Sequence, residues 1–397
     1  MNIKSLLLGS AAALVAVSGA RAADAVVIAE PEPVEYVRVC DTYGAGFFYI
    51  PGTETCLRVG GYMQYDIGVG SLGHEDVLDK ESLRDALDTG DIDDLDENDT
   101  YYKNARVSLQ FDVRSETELG TLRGYAETRF NYGTTTEDVF LPDDDNPLTS
   151  EFLGVITTTQ NAINLEQGYI ELGGFRVGKA ATLFESGTFA AGNVVNDDLV
   201  DYGTFKTLQI AYTFTGPNGF SASLALEEGD GDLYTLDDYV PHVVAAASFT
   251  QGWGAVSAVV GYDAVWEEWA GKVRLDLNAT DALTFFVMAG YKSGADESDL
   301  GGFDTPNNYG RWVGDWAVWG GGSWQATEKA QINAQLSYSN GNDAQGDEYA
   351  AVLNVDYELV ENLRIIPEIA YTSTENLFDD DDREDDFGGW LRIRRSF

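Results

Sequence analysis

The last twelve residues, Asp386-Phe-Gly-Gly-Trp-Leu-Arg-Ile-Arg-Arg-Ser-Phe397, alternate with period 2, and that alternation constrains the fold more than any other feature. Counting back from Phe397 puts Ile393, Leu391, Gly389 and Phe387 on one face with Arg395. Ser396, Arg394, Arg392 and Trp390 fall on the other. A transmembrane barrel strand reads this way, apolar toward lipid and polar toward a lumen. A soluble edge strand reads the same in isolation, so the rest of the chain has to decide.

The beginning narrows the choice. Lys4, an uncharged stretch from Leu6 to Ala20 and the site Ala20-Arg21-Ala22 predict a secretory signal peptide over residues 1–22. No other run reaches the 18 or so apolar residues that a membrane helix needs. A membrane protein with this sequence must therefore be a barrel. The chain carries 67 Asp and Glu against 24 Lys and Arg, and loss of Lys4 and Arg21 would take the net charge from −43 to −45. Such a polyanion repels a phosphate backbone, which excludes nucleic acid as a partner. High Gly, with 21 Tyr, 19 Phe, 8 Trp and only 9 Pro, suits strands and interfacial aromatic girdles. Residues 23–55 read as a periplasmic segment, rich in Pro and acid around Glu30-Pro-Glu-Pro33. Cys40 and Cys56 are the only cysteines, and in an oxidising compartment they are expected to pair, the alternative being two buried free thiols.

From Cys56 onward one unit recurs: an alternating segment, a short turn, an alternating segment, a long polar stretch. In 101–114, Val107, Leu109, Phe111 and Val113 share a face, and Arg106, Ser108, Gln110, Asp112 and Arg114 share the other. Short connections fall at 116–120, 173–174, 216–219, 252–254, 278–281, 327–329 and 360–362. Seven turns plus an opening and a closing strand predict an all-β, 16-stranded antiparallel transmembrane β-barrel over 56–397. Long connections are expected at about 69–100, 133–163, 183–205, 228–240, 264–267, 293–312, 340–347 and 374–385. Several are saturated with acid, as in Asp91–Asp99, Asp143–Asp145 and Asp379–Asp386. Short turns on one side and long loops on the other is the asymmetry of outer-membrane barrels.

Several segments carry a family resemblance: Tyr36-Val-Arg-Val-Cys-Asp-Thr-Tyr-Gly-Ala-Gly46, Ile50-Pro-Gly-Thr-Glu-Thr-Cys-Leu-Arg-Val59, Ser115-Glu-Thr-Glu-Leu-Gly120, Asn196-Asp-Asp198, Tyr212-Thr-Phe-Thr215, Gly314-Asp-Trp-Ala-Val-Trp-Gly320 and Arg395-Ser-Phe397. Together they resemble the general-diffusion outer-membrane porins of Rhizobiales-type alphaproteobacteria. The resemblance implies a homotrimer in the outer membrane, among its lipid and lipopolysaccharide, passing small hydrophilic solutes. It also implies a third extracellular loop folded into the lumen, and a terminal aromatic, Phe397, read by the barrel assembly machinery. The unusually acidic loops depart from the family pattern.

The third long connection, 183–205, is then the candidate constriction. It holds Glu185, Asp197, Asp198 and Asp201 and no Arg or Lys. The strand register points Arg58, Arg106, Arg123, Arg129, Arg364, Arg392 and Arg394 into the lumen. Acids facing bases across a waist create a transverse field that favours small polar solutes. The plainer reading of any one arginine is a pair with Glu127, Asp112 or Glu368 on a neighbouring strand. Acidic loops predict a mild cation preference at the mouth, although a solvated loop surface or divalent-ion binding would also account for them. Trp312, Trp316 and Tyr357 read as lipid-facing girdle residues, whereas Trp319 and Trp390 point inward. Catalysis has poor raw material: only His74 and His242 exist, both expected at the surface, and no metal or cofactor motif is present. The rivals to a diffusion pore are a substrate-selective channel, an outer-membrane lipase and an adhesin.

Overall fold

The computed structural model describes residues 38–89, 92, 95–142, 150–294, 304–342, 346–375 and 383–397. The expected signal peptide and the Pro-rich segment lie outside them, as do Asp143–Asp145 and Asp379–Asp382. Three short strands stand apart from the barrel wall: β1 (Phe48–Tyr49), β3 (His74–Leu78) and β4 (Glu97–Thr100). The wall runs through β2 (Cys56–Gly70), β5 (Tyr102–Thr117), β6 (Gly120–Pro142), β7 (Ser150–Leu172), β8 (Phe175–Ala181), β9 (Lys206–Thr215), β10 (Phe220–Glu227) and β11 (His242–Gln251). It continues through β12 (Gly254–Tyr262), β13 (Trp269–Thr280), β14 (Leu283–Lys292), β15 (Trp316–Thr327), β16 (Ala330–Ser339), β17 (Glu348–Val360), β18 (Leu363–Glu375) and β19 (Arg383–Ser396). Each wall strand pairs antiparallel with the next, and β19 returns to β2, so sixteen strands close on themselves. At the seam Phe397 and Gly61 exchange backbone hydrogen bonds of 3.0 and 3.1 Å. Closure leaves no unpaired edge in lipid, which is what a hydrocarbon solvent requires of a sheet.

Alternation does the sorting. On β14 Phe286 and Met288 are buried toward the lumen, while Phe285 and Val287 stand exposed on the outer belt. The same belt carries Trp316 and Tyr357. No helix among the described residues is long and apolar enough to cross a membrane. All seven short turns fall where the sequence places them.

Two expected loops are structured instead. The 133–163 connection continues as a hairpin, paired from Gly133↔Gln160 out to Pro142↔Ser150, because its Thr-rich strands stand beyond the lipid and need no apolar alternation. The 69–100 connection holds β3, a helix over Lys80–Thr89 that buries Leu83 and Ala86, and β4. Val77 of β3 pairs with Val155, so this first loop rests on the long hairpin. Two single-residue expectations also change. Trp312 is not a girdle residue: it is 1% exposed, edge-on to Trp319 at 5.7 Å, because the loop carrying it folds inward. His242 is fully buried, its Nε2 at 2.8 Å from the Tyr234 carbonyl and its Nδ1 accepting the Ala264 amide.

On the short-turn side Cys40 and Cys56 form a disulfide. The hook it closes buries Phe47 beneath the guanidiniums of Arg58 and Arg114, at 5.1 and 5.2 Å, and Tyr43 donates to Glu116 at 2.7 Å.

Candidate pore and constriction

The third long loop, 182–205, begins with a cap. Thr182 accepts the Phe184 amide at 3.1 Å and starts the single helical turn Leu183–Ser186. The Thr182 hydroxyl and the Leu183 amide both donate to Glu227 of β10 at 2.7 Å, and the Tyr309 hydroxyl adds a third bond at 3.0 Å. This buried carboxylate is compensated by donors on every side, which offsets its desolvation. From there the loop crosses the lumen along the wall. Arg274 (β13) donates to the Ala190 carbonyl, Gln335 (β16) to that of Asp197, Trp319 (β15) to that of Val200 and Lys272 (β13) to that of Tyr202. Glu368 of β18 accepts the Val195 and Asn196 amides and the Asn196 side chain, at 2.5, 2.9 and 2.6 Å.

Apolar packing completes the attachment. Phe184, Ala191, Val200 and Tyr202 join Met288, Tyr309, Trp312 and Trp319 in one buried cluster. Lys272, 1% exposed, sets its ammonium 4.4 Å from the centre of the Phe184 ring, where the aromatic face and the Tyr202 carbonyl replace lost water. Gly203 has φ +124°, and a Cβ there would lie 2.7 Å from the Tyr309 carbonyl oxygen, so only glycine fits this close approach.

The four expected loop acids lie on this shelf. Glu185 has a buried carboxylate oxygen with no hydrogen-bond partner among the described residues. Asp197 accepts the Tyr202 hydroxyl at 3.2 Å, and Asp201 the Gly203 amide at 2.7 Å. Burial raises the pKa of Glu185, Asp197 and Asp201, and the neighbouring Asp198 helps to push Asp197 up to about 7. Asp198 itself is exposed.

Five expected arginines occupy the strands that give the loop no hydrogen bond. Arg392 (β19) pairs with Asp66 at 2.8 Å, and Arg394 donates to Gln64 at 2.8 Å. Arg106 (β5) donates to Asn131 at 2.7 Å. Arg129 (β6) bridges Glu127 and Glu166 at 2.9 and 2.6 Å, and Arg123 bridges Asp112 and Glu171 at 3.1 and 2.9 Å. The other two lie away from this group. Arg58 sits under the disulfide hook, 3.6 Å from Asp112, and Arg364 pairs with Asp356 at 2.6 Å beside the 360–362 turn. Every one of the seven has a polar partner; Glu368, however, serves the loop amides rather than an arginine.

Sequence reasoning put Arg114 on the polar face and named Glu368 as an arginine partner without giving either a site role, and it passed over Arg176, Lys206, Lys272 and Arg274. Arg114, Arg176, Lys272, Arg274 and Glu368 fall at the inward parity that selected the others, so the same count would have found them, whereas Lys206 opens β9 at the outward parity of Leu208 and Ile210. Glu166 had no such signal. The register shift at Glu127/Thr128 makes it the extra residue of a β-bulge, and the bulge turns it toward Arg129 and Lys206, each at 2.6 Å.

A closed sixteen-stranded barrel with an apolar outer belt, a charged lumen and a loop packed inside defines an outer-membrane β-barrel channel. The sequence agrees with the architecture over almost its full length. The chain belongs to the porin family: residues 24–386 match the model of the porin subfamily. It is 47% identical to porin Omp2a of Brucella melitensis and 45% identical to porin Omp2b of Brucella neotomae, each over the whole of both chains. Its fold is similar to that of the outer membrane channel DcaP of Acinetobacter baumannii, with a TM-score of 0.59 at 17% identity, covering 88% of this chain and 99% of that one.

Proposed function

We propose that this porin is a general-diffusion pore through which small hydrophilic solutes and ions cross the outer membrane passively, with a mild preference for cations. The observation that carries the reading is the division of the lumen. A shelf bearing Glu185, Asp197, Asp198 and Asp201 is fastened to β10, β13 and β15–β18, opposite a wall bearing Arg106, Arg123, Arg129, Arg392 and Arg394. Such a waist orients dipolar solutes without demanding one shape. The acidic loops set the sign at the mouth.

In this reading residues 1–22 are removed on export, 23–55 remain periplasmic, and no cofactor or metal takes part. The barrel assembly machinery inserts the chain by recognising Phe397, and three copies assemble among lipid and lipopolysaccharide. Refolded protein in a planar bilayer should give stable ohmic steps, and a salt gradient should give a reversal potential of the sign set by faster potassium permeation. No conductance would refute the pore, and a chloride-selective potential would refute the cation preference.

A further inference from the structure

Beside the root of the third loop lies a chamber of about 630 Å³ that reaches the short turn at Gly173 and Gly174. That volume lies in the range of small-molecule sites. We propose that this chamber is a binding subsite for a small hydroxylated carboxylic acid, of the sugar-acid class. The proposal deepens the porin reading and rests on it.

The first observation is a surplus of positive charge. Arg114 grips Asp112 with two bonds of 2.8 Å, Arg123 spans Asp112 and Glu171, and Arg176 donates to Glu171 at 2.8 Å through Nε. Arg58 approaches the same Asp112. The three guanidiniums that line the chamber, those of Arg114, Arg123 and Arg176, thus share the two carboxylates of Asp112 and Glu171, a net charge of +1 for the array, and Arg58 adds a further positive charge beside Asp112. The Asp112 side chain is 2% exposed, whereas those of Arg114, Arg123 and Arg176 are 26, 23 and 33% exposed. The uncompensated charge therefore faces the chamber. Among the described residues Arg114 and Arg176 leave Nη1 without a hydrogen bond, so donors remain for an incoming carboxylate.

The second observation is the adjoining stretch of wall, β9 to β11. Thr213, Ser221, Ser223 and Ser248 line it with hydroxyls, Thr213 and Ser223 lying 2.9 Å apart. These groups both donate and accept, as a polyol requires. The third is the roof. Phe189 lines the chamber with φ +62° and is 57% exposed. A bulky residue rarely adopts that backbone conformation, and an apolar ring standing in a water-filled lumen gains nothing from packing. Against a ligand it offers a face for the C–H groups of a carbon skeleton. Guanidiniums for the carboxylate, hydroxyls for the hydroxyls and a ring for the skeleton together describe a sugar acid better than an inorganic anion.

Single-channel recordings of the refolded full chain at constant ionic strength test the assignment, with gluconate, its uncharged counterpart sorbitol and inorganic phosphate as probes. Gluconate should reduce the ion current along a saturating curve, sorbitol at equal concentration should leave it nearly unchanged, and phosphate should act at least several-fold more weakly than gluconate. R176Q should weaken gluconate block roughly tenfold. F189A should weaken it several-fold and leave phosphate unaffected. A conducting channel that gluconate does not block saturably, or that sorbitol blocks equally, overturns the subsite and leaves the porin reading intact. Phosphate block as strong as that of gluconate overturns the organic-acid assignment, and unchanged gluconate block in R176Q overturns the role of the arginines. Absence of conductance would instead overturn the porin reading. Should R176Q fail to assemble, the gluconate and sorbitol comparison on the unaltered chain still decides.

Discussion

Glu368 is where the constriction is most open to attack by a single substitution. Its carboxylate accepts three donors from the third loop and a fourth, at 2.9 Å, from Asn354. Hydrogen bonds to a charged acceptor contribute about 1.5–3 kcal/mol each, but water in the lumen would replace part of what E368A removes. A net loss of about 3 kcal/mol in the anchoring of 193–197 is a reasonable middle value for three such bonds. At about 1.4 kcal/mol per factor of ten, the detached fraction of that segment rises on the order of a hundredfold. The contacts of Asn193 with Ser323 and of Gln335 with the Asp197 carbonyl persist, so the loop loosens in the middle rather than leaving the lumen. Single-channel recordings of E368A should show a higher mean conductance and more open-channel noise. E368Q should fall between, because its amide keeps one acceptor oxygen and turns an NH₂ toward the loop donors. A correctly folded E368A with the conductance and noise of the parent would refute this account of what holds the waist.

Three further outcomes are expected. Burial holds the Asp197 pKa near 7, so this carboxylate is neutral below that value and charged above it. The potassium-to-chloride permeability ratio should rise as pH goes from 6 to 8, and D197N should flatten that part of the curve; an unchanged pH profile in D197N would exclude Asp197 as its source. By linkage a raised carboxyl pKa favours the packed loop at low pH, and that contribution is lost as pH rises through about 7. Removing the disulfide with C40S should destabilise the hook by about 3 kcal/mol on the loop-entropy model. Faster amide exchange at Phe48, with conductance steps retained, would show it, and unchanged exchange would count against it. Deleting Phe397 removes an exchanged backbone pair with Gly61 at the seam and should lower the amount of assembled barrel in the outer membrane before conductance changes; normal levels would argue against a role in assembly.

Strand parity was legible because lipid on one face and water on the other impose period 2 wherever the wall crosses the membrane. That rule located all seven turns and the inward faces of Trp319, Trp390, Arg392 and Arg394. Beyond the lipid it has no force, and the hairpin extending past Gly133 carries Thr-Thr-Thr-Glu-Asp with no alternation to read. Loops that fold inward defeat it differently. Trp312 precedes β15 and looks like a girdle aromatic, yet its neighbours come from the third loop and β15, contacts that no local pattern encodes. His242 opens β11 and looks exposed, but the residues that bury it arrive from the loop before it and from two later ones. The acids of 183–205 could be found from the sequence as a group; which carbonyls and amides fasten them, and to which strands, could not.

The footing of the third loop and the face it looks toward lie on different strands. Its fastening groups, Glu227, Lys272, Trp319, Gln335 and Glu368, come from β10 to β18, while Arg106, Arg123, Arg129, Arg392 and Arg394 come from β5, β6 and β19. In the proposed pore, substitutions on the arginine strands would therefore re-tune what passes without undermining the fastening of the loop. Two chains of this kind could diverge in permeability while inheriting the same shelf intact, so the selectivity of the pore and the persistence of its fold are open to change on separate tracks.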